Sequence, residues 1–142
     1  MNIVEVYIDG ASRSNPGHAG IGVYVRITDE SGSITTAEYG RYIGEATNNE
    51  AEYKALLSAL SELATWSKYP KEASITIYSD SALVVNQVNY RWQIRDIKLR
   101  PLCLVARKLL LDFDNLKLIH IPREENTKAD KLANEAINRK VG

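Results

Sequence analysis

Val4–Gly17 reads VEVYIDGASRSNPG. A hydrophobic strand, Val4–Ile8, runs straight into one acid, Asp9, and a glycine, small polar residues and the turn Asn15-Pro16-Gly17 follow at once. An apolar run that ends in a carboxylate reads as a buried strand delivering a charge to a sheet edge or cleft. A lone ionised carboxylate there is costly, so it calls for a cationic partner, either a side chain or a metal.

Working outward, Gly20 belongs to the turn, Ile21–Thr28 reads as a second strand, and Asp29–Gly32 is a hairpin turn. Ser33–Ile43 is a third strand, with Gly40 at a bulge. The period then becomes helical. From Asn48 to about Ser67, Ala51, Ala55, Leu56, Ala59, Leu60, Leu63 and Trp66 recur on one face, Thr47 or Asn48 caps the start, and Tyr69-Pro70 ends the run. Ala73–Tyr78 is a short apolar strand that again meets an acid, Asp80. A helix over Ala82–Val88, capped by Ser79 or Ser81, a linker over Asn89–Lys98 and a helix over Arg100–Asp112 follow. Leu116–Ile121 is the last strand, Pro122 breaks it, and Asn126–Arg139 is a closing helix with Leu132, Ala133, Ala136 and Ile137 inward. A three-strand meander followed by βα units predicts an α/β fold, one mixed sheet with helices on its faces.

The 142 residues suit a single domain over 1–142. An apolar fraction of 44% and a charged fraction of 25% are those of an ordinary globule, and no apolar run approaches the roughly 20 residues of a membrane helix. The N-terminus shows no signal-peptide pattern, and one cysteine, Cys103, leaves no internal disulfide; residence in the cytoplasm and a monomer are expected. With 18 basic and 18 acidic residues, bulk charge does not hold the chain on nucleic acid, although a local patch can.

Asp9 and Asp80 end two predicted strands, and parallel neighbours would bring both acids to one sheet edge, where open α/β sheets bind ligands. Glu52 lies early in the long helix on the side of Leu56, Ala59 and Leu60, so it faces the sheet, whereas Glu50 is the surface acid. Asp130 lies near the start of the closing helix between Ala129 and Ala133, on an inward face, with Lys128 and Lys131 pointing outward. Taken singly, each acid also suits a turn, a cap or a helix dipole. The set reads differently, because clustered carboxylates repel unless something positive sits between them. All-oxygen ligation selects hard divalent cations such as Mg²⁺ or Mn²⁺. Two such ions serve phosphodiester cleavage.

Four stretches resemble the ribonuclease H family, type 1: YIDGASRSNPG at 7–17, TNNEAEYKAL at 47–56, IYSDSALVVNQV at 77–88 and HIPREENTKADKLAN at 120–134. The resemblance covers nearly the whole chain and implies a five-stranded mixed sheet. It also implies hydrolysis of the RNA strand of an RNA–DNA hybrid by two-metal chemistry, leaving a 3′-hydroxyl and a 5′-phosphate. Asp9, Glu52, Asp80 and Asp130 match the family's metal-binding carboxylates. Asn15, Asn48 and Asn49 match positions that read the minor groove and the RNA 2′-hydroxyls, and Thr47 resembles a residue that holds a DNA-strand phosphate. A histidine before the last acid assists product release in many members; here either His120, ten residues before Asp130 but inside a predicted strand, or Arg123, in the loop itself, takes that place. His18 is expected to be simply exposed.

The sequence departs from the family's larger members in two ways. Asn89–Lys98 is short where some members carry a basic, Trp-rich protrusion, and no separate hybrid-binding domain is expected. Both imply a weaker grip on substrate and a stronger salt sensitivity. Residues 91–108 still hold six basic residues against one acid, as a substrate patch or a solvated face, and Trp92 is either a stacking surface or a core anchor. Another nuclease of the same fold and a catalytically silent hybrid-binding module are the competing readings.

Overall fold

The computed structural model describes residues 2–66 and 73–141. Five strands form one sheet, β1 (Ile3–Ser12), β2 (Gly17–Thr28), β3 (Ile34–Ala46), β4 (Ser74–Ser79) and β5 (Leu116–His120), in the order β3-β2-β1-β4-β5. The β1–β2 and β2–β3 pairs are antiparallel, and the β1–β4 and β4–β5 pairs are parallel. The helices are α1 (Asn48–Thr65), α2 (Ala82–Val88), α3 (Arg100–Leu110) and α4 (Thr127–Val141), with a short 3₁₀ turn at Arg123–Glu125 before the last. The expected element order is therefore the observed one. The proposed stop at Tyr69-Pro70 lies outside the described residues.

Alternation along β1 builds the two faces. Val4, Val6 and Ile8 are buried and pack with Tyr53, Leu56, Leu60 and Leu63 of α1. On the opposite face α4 lies across β2, β1 and β3. Its buried side is small, Ala129, Ala133, Ala136 and Ile137, and the sheet meets it with glycine. A Cβ on Gly22 would sit 2.1 Å from the Ala129 carbonyl oxygen, so only glycine lets α4 come this close. Gly20 and Gly40 also lie beneath α4. This corrects two expectations: Gly20 is inside β2 rather than in a turn, and the register shift of the β2–β3 pair falls at Ala19/Gly20 rather than at Gly40. Both glycines answer to helix contact, a long-range fact with no local signature.

β1 also runs further than its hydrophobic pattern. It continues through Asp9 to Ser12 because β2 pairs with it all the way, with Asp9 opposite Gly22 and Ser12 opposite Ala19. β4 does not follow. Its pairing with β1 ends at Ile8–Ser79, and the chain turns away into α2, whose N-cap is Ser81 accepting from Val84 N at 3.2 Å. Beyond Ile8, one edge of β1 is thus free of a neighbouring strand, and that notch is where the acids gather.

Candidate metal and nucleic-acid site

Asp9, Glu52 and Asp80 each place a carboxylate oxygen within 4.8 Å of the other two. Asp9 comes from β1, Asp80 from the end of the parallel strand β4, and Glu52 from the second turn of α1. α1 reaches the sheet closely enough because Gly10 has no side chain: a Cβ there would lie 2.2 Å from the Ala51 carbonyl carbon. Gly10 N–H then donates to Glu52 Oε1 at 2.6 Å, which fixes the glutamate beside Asp9. Glu50 is committed elsewhere. Its carboxylate accepts from Thr47 N at 2.9 Å while Thr47 Oγ1 accepts from Glu50 N at 3.2 Å, a complete capping box. The pattern-based choice of Glu52 over Glu50 agrees with this division.

The electrostatics suit a cation. Burial, then the Glu52 and Asp80 charges, raise the Asp9 carboxyl well above the ordinary carboxylate range. Burial likewise raises Glu52, against the Gly10 N–H bond that lowers it. None of the ion pairs found among the described residues involves these acids. An all-oxygen donor set, partly buried and self-repelling, fits a hard divalent cation.

Asp130 departs from the expected placing. It is exposed rather than inward and stands outside the close triad. It still stands near enough to Asp9 to add, as the smallest contribution, to the raising of that carboxyl. It is steadied by Asn134 Nδ2 at 3.1 Å, and Asn134 Oδ1 in turn accepts from Arg13 Nη1 at 2.6 Å. A residue one turn into α4 overhangs the sheet end instead of pressing on it, which the helical period alone does not distinguish.

Four of the polar residues singled out in the sequence share one rim. Asn15 Oδ1 accepts from Asn48 N at 2.9 Å, which ties the β1–β2 loop to the first turn of α1, and Asn48 and Asn49 are exposed. Thr47 Oγ1 is used as a cap acceptor, leaving its O–H free to donate. His120 lies in β5 as predicted, at its end and paired with Ser79, but it is exposed. Arg123 is exposed at the start of the 3₁₀ turn. Both therefore stand at the strand-end edge of the sheet. His18 is exposed but hydrogen-bonded, its Nδ1 2.7 Å from Tyr42 Oη.

Trp92 is half exposed, so it is no core anchor. With Asn49, Arg91 and Arg95 it lines an open cleft of about 530 Å³ between α1 and the α2–α3 linker.

The sequence reading missed Asn126. Placed at the edge of the closing helix by its pattern, it is instead the residue before α4 and only 1% exposed. The one available signal was Asn four residues ahead of Asp130, which reads equally well as a helix cap.

A family profile described as reverse transcriptase-like matches residues 7–136. The chain is 43% identical over 135 residues to Ribonuclease HI of Halobacterium salinarum, an alignment covering 95% of this chain and 64% of that protein. The crystal structure of RNase H1 from the same archaeon superposes with a TM-score of 0.83 at 42% identity, covering 96% of this chain and 98% of that one. The chain belongs to the ribonuclease H family. LC11-RNase H1, isolated from compost and crystallised in complex with an RNA/DNA hybrid, is similar at 38% identity and a TM-score of 0.85, covering 98% of this chain and 99% of that one. The sheet order and the two helical layers described above are thus the ribonuclease H fold. The chain spans 64% of the length of its curated Halobacterium relative.

Proposed function

We propose that residues 1–142 form one ribonuclease H catalytic domain, an endonuclease that hydrolyses the RNA strand of RNA–DNA hybrids to 3′-hydroxyl and 5′-phosphate ends. The observation that carries this reading is the triad of carboxylates within 4.8 Å of one another at the free edge of β1. The hybrid seen with LC11-RNase H1 supports the substrate class.

Asp9, central among the acids, would hold both of two Mg²⁺ or Mn²⁺ ions, Glu52 and Asp80 would complete one site, and Asp130, on the rim, would contribute to the other. Two ions held there supply a nucleophilic water at neutral pH and stabilise the departing 3′-oxygen. The remaining tasks fall to the chain. Asn48 and Asn49 sit one helical turn from Glu52, Asn15 is bonded to Asn48, and their amides suit both acceptor and donor demands of a 2′-hydroxyl, the group that separates RNA from DNA. Thr47 donates to a phosphate of the DNA strand. His120 or Arg123 contacts the leaving product from the strand-end edge. The chain would act as a monomer in the cytoplasm.

The test is a labelled RNA–DNA hybrid incubated with and without Mg²⁺ or Mn²⁺, beside duplex DNA and duplex RNA. Metal-dependent cleavage confined to the RNA strand of the hybrid is expected. Cleavage of duplex DNA would point to another nuclease of this fold, and binding without cleavage to a silent module.

A second expectation concerns the cleft beside Asn49. If Arg91 and Arg95 meet backbone phosphates, Arg91→Ala and Arg95→Ala each raise KM for the hybrid roughly 3- to 10-fold and leave kcat near wild type. Each also lowers the slope of log affinity against log salt by about 1. Unchanged slopes in both variants would return these arginines to the role of a solvated face.

A further inference from the structure

The free edge of β1 is closed by two side chains. Backbone groups of alternate residues leave a strand on the same side, so Ile8 O and Gly10 N both face the place a continued β4 would occupy. Glu52 Oε1 takes the Gly10 N–H. Asn126 Nδ2 takes Ile8 O at 2.8 Å, and its second hydrogen goes to Asp80 Oδ2 at 3.1 Å. Asp9 lies between these two anchors. The backbone of Asn126 adds a third tie, because its carbonyl accepts from Asp130 N at 3.2 Å in the first turn of α4. One buried residue therefore touches the Asp80 carboxylate, the peptide next to Asp9, and the turn that carries Asp130.

The direction of the amide is fixed by its partners. A backbone carbonyl and a carboxylate are both acceptors, so only the NH₂ end can face them. The opposite end is not accommodated. Asn126 Oδ1 is buried without a partner, one of two such buried side-chain atoms among the described residues. A side chain selected for packing alone would not carry that penalty, since an apolar residue of the same size avoids it.

We propose that Asn126 is a positioning residue of the cation site. Its carboxamide stands in for the missing strand on Ile8 O and, with the same nitrogen, holds the Asp80 carboxylate against Asp9. The residue binds no ion and no substrate itself. The inference rests on reading the carboxylates as a divalent-cation site.

Mn²⁺ titration of the full chain by calorimetry, with no nucleic acid present, tests it. Asn126→Ala and Asn126→Leu both remove the donors; the first leaves a gap and the second fills it, so a shared effect belongs to the lost hydrogen bonds. Each is expected to weaken Mn²⁺ binding by about tenfold or more, the usual consequence of losing an orienting partner behind a ligand. Ile75→Val, a buried change near the opposite end of β4, is the control for general destabilisation and should bind Mn²⁺ within about twofold of wild type. In hybrid cleavage the Asn126 variants should lose rate at low Mn²⁺, recover it as Mn²⁺ is raised, and keep the wild-type KM. Should Asn126→Ala fail to fold, Asn126→Leu carries the comparison. A folded variant that binds Mn²⁺ as tightly as wild type overturns the proposal, as does an equal loss in Ile75→Val. Wild-type protein that binds Mn²⁺ yet leaves the hybrid intact would instead overturn the substrate reading, and the titration would still judge Asn126.

Discussion

Replacing Asp9 with asparagine is expected to abolish hybrid cleavage, by roughly 10³-fold or more, and to make the metal-free protein more stable. The first effect follows from position: Asp9 is the carboxylate that Glu52, Asp80 and Asp130 all approach. A thousandfold loss corresponds to about 4 kcal/mol of transition-state stabilisation. The second follows from the neighbourhood. Burial and the adjacent acids raise the Asp9 carboxyl in the folded state, so the folded protein holds that proton more tightly than the unfolded chain does. The penalty is absent below the unfolded value of about 4 and grows as the pH rises above it. Asparagine carries no charge at any pH, so the two proteins should melt alike near pH 4 and diverge toward pH 7. There, in chelator, the variant should gain about 1–2 kcal/mol, a few degrees in Tm for a domain of this size. Added Mg²⁺ or Mn²⁺ should close the gap by stabilising only the wild type. Thermal melts at the two pH values, with and without metal, are the measurement. A variant less stable than wild type at pH 7 in chelator would contradict the account of a self-repelling cluster.

Gly10→Ala, like Gly22→Ala, is expected to be among the most damaging changes of a single methyl group. The new Cβ would lie 2.2 Å from Ala51 C, 2.3 Å from Ala51 O and 2.5 Å from Glu52 N. All three are backbone atoms, so no rotamer change relieves the collision, and α1 must move away from β1. That movement breaks the Gly10–Glu52 hydrogen bond and withdraws Glu52 from the triad. A loss of about 3 kcal/mol is expected from the overpacking. Cleavage should fall further than the folded fraction, because the surviving native molecules carry a misplaced ligand. Gly32→Ala is the comparison. Gly32 has φ +89° in an exposed turn with nothing within 4 Å of its would-be Cβ, so the methyl meets only backbone strain. That variant should lose about 1 kcal/mol and keep full activity. Equal effects of the two substitutions would show that the close approach of α1 is not what Gly10 provides.

Much of the site was legible before any coordinates. The apolar runs ending at Asp9 and Asp80 named two acids at strand ends, and the helical face of Leu56, Ala59 and Leu60 chose Glu52 over Glu50. These placements were legible because strand and helix periods are local and each has one buried face here. Asp130 was named but wrongly turned inward, since the period of α4 does not say where the helix overhangs the sheet. Asn126 was passed over, because a buried amide and a helix cap look the same in a sequence. Its meaning comes from Ile8, 118 positions away along the chain.

The sequence by itself determined the order of strands and helices, the family, and which acids stand at strand ends or on a helix face, because each of these rests on local periodicity or on contiguous motifs. Only the tertiary structure decided how those acids meet. β2 extends β1 through Asp9, β4 leaves one residue too soon to cover it, and glycines at 10 and 22 let two helices close on the gap. Each is a contact between segments far apart in the chain, so no single stretch carries its signal. The notch they leave in β1 is where the chain can hold carboxylates close enough to need a cation.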